Sequence, residues 1–251
     1  MTRTQQLEYL MRYLAPDLEL PANDEEQWKL FRVLVNIREP GEVSKEFLEV
    51  QDDFLKHEIA AKGITDIDKL NPIREGLYLW QGDITTLRVA AIVNAANSGM
   101  TGCYCPNHGC IDNAIHTFAG AQLRNECAEL MLRQGYPEPT GHAKITEAYN
   151  LPCRFVLHTV GPIVQGELTE HNVEQLADCY RSCLALAKEN DLRSIALCCI
   201  STGEHRFPNV KAAKIAVMVV TDFQKNNPGI DVVFNVFKDE DYRIYRELLR
   251  A

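Results

Sequence analysis

No stretch of this 251-residue chain approaches the about 18 uninterrupted apolar residues that a membrane-spanning helix needs. The opening segment MTRTQQLEYLMRYLAPDLEL has neither a continuous apolar core nor a small-residue cleavage site, so it does not read as a secretory leader. Low-complexity and disordered tracts are missing too. Positive charge is in short supply: 26 Lys and Arg stand against 35 Asp and Glu, a formal net charge of −9. That balance excludes a whole-surface basic footprint for nucleic acid. An anionic ligand must then be held locally, by backbone N–H groups or a metal ion. These absences lead to the expectation of a cytoplasmic protein with neither a membrane nor a nucleic-acid partner. Its nine cysteines are then expected to be reduced thiols or metal ligands rather than a disulfide framework.

What is present is the composition of a folded protein, 46% hydrophobic and 24% charged, long enough for one sizeable core plus an appendage. Residues 1–72 read as helical. Leu7, Leu10, Met11 and Leu14 recur at helical spacing, as do Trp28, Phe31, Leu34 and Val35. Ser44 is placed to open a third helix that ends at Gly63. This segment carries no evident chemistry and is expected to pack as a helical extension on the remainder, residues 73–251. There the texture changes to apolar runs of strand length: GLYLWQGD, AAIVNAAN, FVLHTVGP, SIALCCIST and DVVFNVF. Helical patterns separate them, such as the face shared by Val173, Leu176, Tyr180, Cys183, Leu184 and Ala187. Strand and helix in alternation imply an α/β layer architecture with a largely parallel sheet, whose ligands sit at the carboxyl ends of strands. The loops after Leu79, Asn94 and Ile200 are therefore where a site is expected.

Each of these loops carries residues with two readings. In STGEHRFP, Ser201–Pro208, small residues and Gly203 between a strand and a helix N-terminus let the backbone curl around an anion. The same residues also suit an ordinary β-to-α turn, and no G-K-[S/T] follows to mark a nucleotide-triphosphate loop. In QGDITTL, Asp83 either caps the next turn through Thr85 or Thr86, or accepts a hydrogen bond from a ligand amine. In NAANSGM, Asn94 and Asn97 either make a turn or hydrogen-bond sugar hydroxyls.

The segment GCYCPNHGCIDNAIH gathers Cys103, Cys105, His108 and Cys110, the residue types zinc prefers. Cys103, His108 and Cys110 form C-x4-H-x-C, with Cys105 as a spare or fourth ligand. Structural zinc sites are built from paired knuckles distant in sequence. Three ligands in one loop leave a coordination position open, which is the catalytic arrangement. A Cys103–Cys105 redox pair lacks the C-x-x-C spacing. Cys198 and Cys199 in a strand, Cys179 and Cys183 on a helix, and the isolated Cys127 and Cys153 read as small core or boundary residues.

Taken in order, GDIT, AIVNAAN, DNAIHTFAGAQL, GHAKITEAYNLPCRFVLHTVGP and STGEHRFPN resemble the macrodomains, the ADP-ribose-binding α/β family. Where many macrodomains carry a glycine-rich run, this chain has CYCPNHGCIDNAIH. That segment, with LFRVLVNIREP and EFLEVQDDFL, resembles the microbial zinc-dependent subfamily. Its members are protein-ADP-ribose hydrolases, often encoded beside a sirtuin-type ADP-ribosyltransferase. The resemblance implies a three-layer α/β/α mixed sheet with the N-terminal helical extension. It implies a glycosidase-type hydrolase acting on mono-ADP-ribosylated protein, with Asp or Glu esters as the expected linkage. It also implies a Zn2+ cofactor on Cys103, His108 and Cys110. Asp83 would bind the adenine amino group with Ile84 beside it, and Asn97 and Asp112 would serve catalysis at the distal ribose. Ser201, Thr202, Gly203, Glu204 and His205 would wrap the diphosphate, although EHR departs here from the family's aromatic-plus-glycine pattern. Two other functions stay open on sequence: a non-catalytic ADP-ribose reader and a structural zinc module for protein contacts.

Overall fold

The computed structural model describes residues 1–250; Ala251, the last residue of the expected second segment, lies outside the described residues. Three helices come first, each opened by a short polar side chain. Thr2 starts α1 (Arg3–Leu14) in a capping box with Gln5, Asn23 starts α2 (Asp24–Ile37), and Ser44 starts α3 (Lys45–Lys62). Such caps satisfy N–H groups that the helix cannot, and contribute about 1 kcal/mol each. Gly63 ends α3 at φ +88°, a left-handed conformation that favours glycine.

The rest alternates strand and helix. In chain order it runs β1 (Thr65–Asp66), β2 (Leu77–Gln81), β3 (Leu87–Arg88), β4 (Ala91–Ala96), α4 (Ile111–Ala119), α5 (Ala121–Gln134) and β5 (Ala143–Glu147). It continues through β6 (Phe155–Val160), α6 (Glu170–Glu189), β7 (Ser194–Leu197), α7 (Asn209–Asn226), β8 (Asp231–Val236) and α8 (Asp239–Arg250). The six-stranded sheet has the order β2-β8-β7-β4-β6-β5. All its neighbours are parallel except β5, which runs antiparallel to β6 at one edge. Its central strands are buried along nearly their whole length, as a sheet sandwiched between helix layers requires. This is the three-layer α/β/α mixed sheet that was expected.

One expectation needs correction. The run SIALCCIST is not one strand, because β7 stops at Leu197 and Cys198 and Cys199 lie beyond it. The Tyr180 hydroxyl donates to the Cys198 carbonyl at 3.3 Å and accepts from the Ile200 N–H at 3.4 Å, which takes this backbone out of the ladder. The edge strand β5 and the helices α4 and α5 had no separate reading in the sequence, because polar residues interrupt their buried faces: Thr146 in β5, Asp112, Asn113, His116 and Thr117 in α4, and Arg124 in α5.

The helical extension docks by packing and by buried polar contacts. Trp28 meets Phe118 of α4 at 5.8 Å between ring centroids, while within the extension Phe31 of α2 meets Phe54 of α3 edge-on at 5.5 Å. Gln51 of α3 accepts from the Ala121 N–H and donates to Gln122. Arg124 of α5 donates to the carbonyls of Val35 and Asn36, at 2.9 Å each, and so satisfies the open C-terminal end of α2.

Candidate functional site

The loop that leaves β4 turns back through Met100 (φ +64°) and Gly102 (φ +88°) before α4 begins. Cys110 is the N-cap of α4, its Sγ accepting from the Asn113 N–H at 3.4 Å. Asp112 thereby enters the first turn, where the helix dipole favours a carboxylate. Its side chain is buried and receives Asn94 Nδ2 at 2.8 Å and Asn97 Nδ2 at 3.3 Å. Burial pushes the Asp112 carboxyl up to about 6, against those two hydrogen bonds and the Arg124 charge. Asn97 also donates to the Gly102 carbonyl and accepts from the Gly99 N–H, so one asparagine both shapes the turn and meets Asp112.

Behind this pair, Asn94 Nδ2 also meets His158 Nδ1 at 3.1 Å, and His158 Nε2 meets Thr146 Oγ1 at 2.9 Å. An amide nitrogen only donates, which assigns the proton of His158 to Nε2. Burial drives the His158 pKa down to about 3, so the ring is neutral. Sequence reasoning missed His116, one turn beyond Asp112. Its Nε2 is 3.6 Å from Asp112 Oδ1, and neither ring nitrogen has a hydrogen-bond partner although the side chain is buried. A Cβ at Gly102 would lie 2.7 Å from this ring. The signal was present as D-x-x-x-H, an i,i+4 pair on one helix face, within DNAIH.

The cysteine and histidine loop is drawn together as its spacing suggested. Cys103, His108 and Cys110 place one ligand atom each within 4.8 Å of one another, with Cys103 Sγ 3.6 Å from His108 Nδ1. Ligands at zinc's bond lengths of about 2.0–2.3 Å around a tetrahedral centre have separations of this order. The set is two thiols and an imidazole, and burial pushes the Cys110 thiol up to about 12, so its thiolate needs a cation. These residues fit a zinc ion. Cys105 is exposed and outside the triplet. His108 presents its other nitrogen, Nε2, to the Glu204 carboxylate across the cleft at 3.6 Å, the kind of partner that orients a ligating imidazole. A second group, His116, Cys127 and His158, also converges within 4.8 Å. There His158 already uses both ring nitrogens on Asn94 and Thr146, which argues for a structural role.

The loop after β7 folds back on itself. Ser201 (φ +63°) and Arg206 (φ +57°) turn it, and the Phe207 N–H closes it onto the Ser201 carbonyl at 2.9 Å. Among the hydrogen bonds of the described residues, none uses the N–H groups of Thr202, Gly203, Glu204 or His205. Ser201 Oγ is buried and unpartnered, and Thr202 Oγ1 is occupied by the Cys199 carbonyl. The His205 carbonyl accepts from Val164 N–H. The helix that follows starts only at Asn209, so the loop backbone, more than a helix N-terminus, supplies the donors. Gly161 lets this loop approach β6: a Cβ there would lie 2.1 Å from Ser201 Oγ.

At the other end of the edge, Asp83 follows β2 and caps the short turn Ile84–Thr86. Its Oδ1 accepts from the Thr85 N–H and hydroxyl, and its Oδ2 pairs with Lys62 Nζ at 2.8 Å. Burial pushes the Asp83 carboxyl up, but the hydrogen bonds from Lys62 and Thr85 outweigh it and hold the group below its usual range. Ile84 is buried in the core. Phe237, also missed from sequence, follows β8 beside this turn and is 75% exposed, with its carbonyl accepting from Gln81 Nε2. A cavity of about 720 Å³ runs from Asp83 past Phe118 and Ala114 to His108 and Cys110, with Trp28, Arg32 and Lys62 of the helical extension as its outer wall.

Fold and site together define a three-layer α/β/α domain whose functional loops meet at the carboxyl edge of its sheet. The Macro domain family matches residues 93–216. A Treponema medium protein named protein-ADP-ribose hydrolase is 52% identical over 99% of this chain and 100% of its own length. A Trypanosoma brucei macrodomain solved in complex with ADP-ribose is 30% identical, with a TM-score of 0.67 over 87% of this chain and 94% of that one. An Oceanobacillus iheyensis macrodomain solved with ADP is 38% identical, with a TM-score of 0.65 over 72% of this chain and 94% of that one. The chain belongs to the Macro domain family.

Proposed function

We propose that this protein is a zinc-dependent hydrolase that removes mono-ADP-ribose from protein side chains in the cytoplasm. Its substrates are esters of Asp or Glu, and the modification it reverses is made by a sirtuin-type ADP-ribosyltransferase. The observation that carries the reading is the meeting of Asn97 and Asp112 in one hydrogen bond beside the Cys103, His108 and Cys110 triplet. The relatives' hydrolase name and the ADP-ribose seen in a related structure support it.

In this reading, Asp83 accepts from the adenine amino group and Phe237 offers its exposed ring face to the base. The open N–H groups of residues 202–205 hold the diphosphate. These remote contacts fix the distal ribose against Asn97, whose amide keeps the sugar in reactive geometry. Water adds across the bond between C1″ and the side-chain oxygen. Its oxygen ends on C1″, one of its protons passes to Asp112, and the carboxylate leaves with the bonding pair. When bound to Cys103, His108 and Cys110, zinc supplies Lewis acidity toward a ribose hydroxyl or a water.

The test combines metal analysis of the purified protein with release of ADP-ribose from a protein modified on acidic residues, with and without a chelator. The expected result is near-stoichiometric zinc, loss of release on chelation, and a fall of about 100-fold or more in rate for Asp112→Asn. Unchanged release after complete metal removal would overturn the zinc dependence. ADP-ribose binding without any release would leave the reader function instead.

A further inference from the structure

The loop that holds Cys103, His108 and Cys110 makes much of its contact with a part of the chain to which sequence assigned no chemistry. Helix α2 of the extension reaches it at three successive turns. The Lys29 carbonyl accepts from Asn107 Nδ2 at 3.2 Å. Arg32 donates through one guanidinium nitrogen to the His108 carbonyl at 3.2 Å and to Asn113 Oδ1 at 2.8 Å. Asn36, fully buried, accepts the Asn107 N–H on Oδ1 at 3.0 Å and donates to Thr117 Oγ1 at 3.1 Å.

These contacts fall where the loop is hardest to hold. Asn107 has φ +54°, a left-handed conformation that most residues avoid, and it immediately precedes His108. Its N–H and its side chain are both fastened to α2, so the helix fixes the peptide from which the His108 ring projects. Asn113, which Arg32 holds from the other side, donates through Nδ2 to the Cys105 carbonyl and through its N–H to Cys110 Sγ. Arg32 thus ties together the backbone of one candidate ligand, His108, and the residue whose N–H is capped by another, Cys110.

We propose that α2 is the positioning element of the ligand loop, with Arg32 and Asn36 setting the direction of His108 and, through it, the metal affinity of the triplet. The proposal rests on the zinc reading above, and explains why the helical extension accompanies this loop. Outer contacts that orient ligands are worth about tenfold to a hundredfold in metal affinity.

The experiment is a zinc titration against a chromogenic chelator, using the full chain and its Arg32→Met and Arg32→Lys variants, with thermal melts of each metal-free protein. The expected result is zinc binding at least tenfold weaker in Arg32→Met, partial recovery in Arg32→Lys, and melting of the metal-free variants close to that of the parent. Equal zinc affinity in Arg32→Met and parent would overturn the proposal while leaving the zinc reading intact. No zinc binding by the parent would overturn the zinc reading itself, and the proposal with it. Should Arg32→Met fold poorly, cobalt(II) spectra of Arg32→Lys decide: shifted or weakened ligand-field bands support the role of α2, and bands identical to the parent's overturn it.

Discussion

At the scale of single residues, the site is a set of side chains whose hydrogen-bond partners fix their orientation. Asp112 is the clearest case, a buried carboxylate held by two asparagine amides rather than by an ion pair. Its place in the site was legible only through the likeness of CIDN to the macrodomain pattern. His116 was passed over although D-x-x-x-H marks it as facing Asp112 on the helix. Phe237 gave no signal, because a single aromatic after a strand looks like ordinary core and only its exposure sets it apart. Phe237 carries a direct test. Aromatic stacking on a base is worth about 1–3 kcal/mol, so Phe237→Ala should weaken ADP-ribose binding by about fivefold to a hundredfold in calorimetry. The ring projects from the protein, so the fold should not notice its loss. Unchanged affinity would remove Phe237 from the adenine contact.

At the scale of elements, the carboxyl edge is shaped by where strands stop. β7 ends at Leu197, earlier than its apolar run, and the residues released form the loop that exposes the N–H groups of 202–205. The sequence showed the apolar run but not the stop, because the stop is imposed by the Tyr180 hydroxyl from another layer. The residue that follows β6, Gly161, packs against the same loop, and a Cβ there would collide with Ser201 and Ile200. Gly161→Ala would set a Cβ 2.1 Å from Ser201 Oγ and 2.7 Å from Ile200 Cγ2, so the loop must move away. The expected outcome is ADP-ribose binding at least tenfold weaker, about 1.4 kcal/mol, with the sheet intact by circular dichroism. Parent-like affinity would show that the loop does not depend on this close approach.

At the scale of the whole molecule, two buried histidines tie stability to pH. The imidazole of an unfolded chain binds a proton below about 6.5, whereas His158 in the fold resists until about 3. Between those values the unfolded state binds more protons, so stability falls as pH falls, with a slope of about 1.4 kcal/mol per pH unit from His158. His116, also held well below its usual pKa by burial, works in the same direction. Asp112, raised to about 6, works in the opposite direction below that value and offsets part of the effect. Denaturant melts from pH 7 to 5 should therefore lose stability in the parent, and His158→Gln should flatten the curve. An equal slope in parent and variant would show that His158 is not the group responsible.

The sequence by itself determined the alternation of elements, the three helices of the extension with the cap at Ser44, and the residue types gathered in GCYCPNHGC. Those are properties of neighbours along the chain: periodicity, capping and ligand spacing act within a few residues. Tertiary structure alone decided that α2 lies against the ligand loop, that Glu204 faces His108 from a different loop, and that Lys62 pairs with Asp83. Each of those contacts joins residues far apart in the chain. Their distances are set by how helices and loops pack on the open sheet, and no local pattern of residues encodes them.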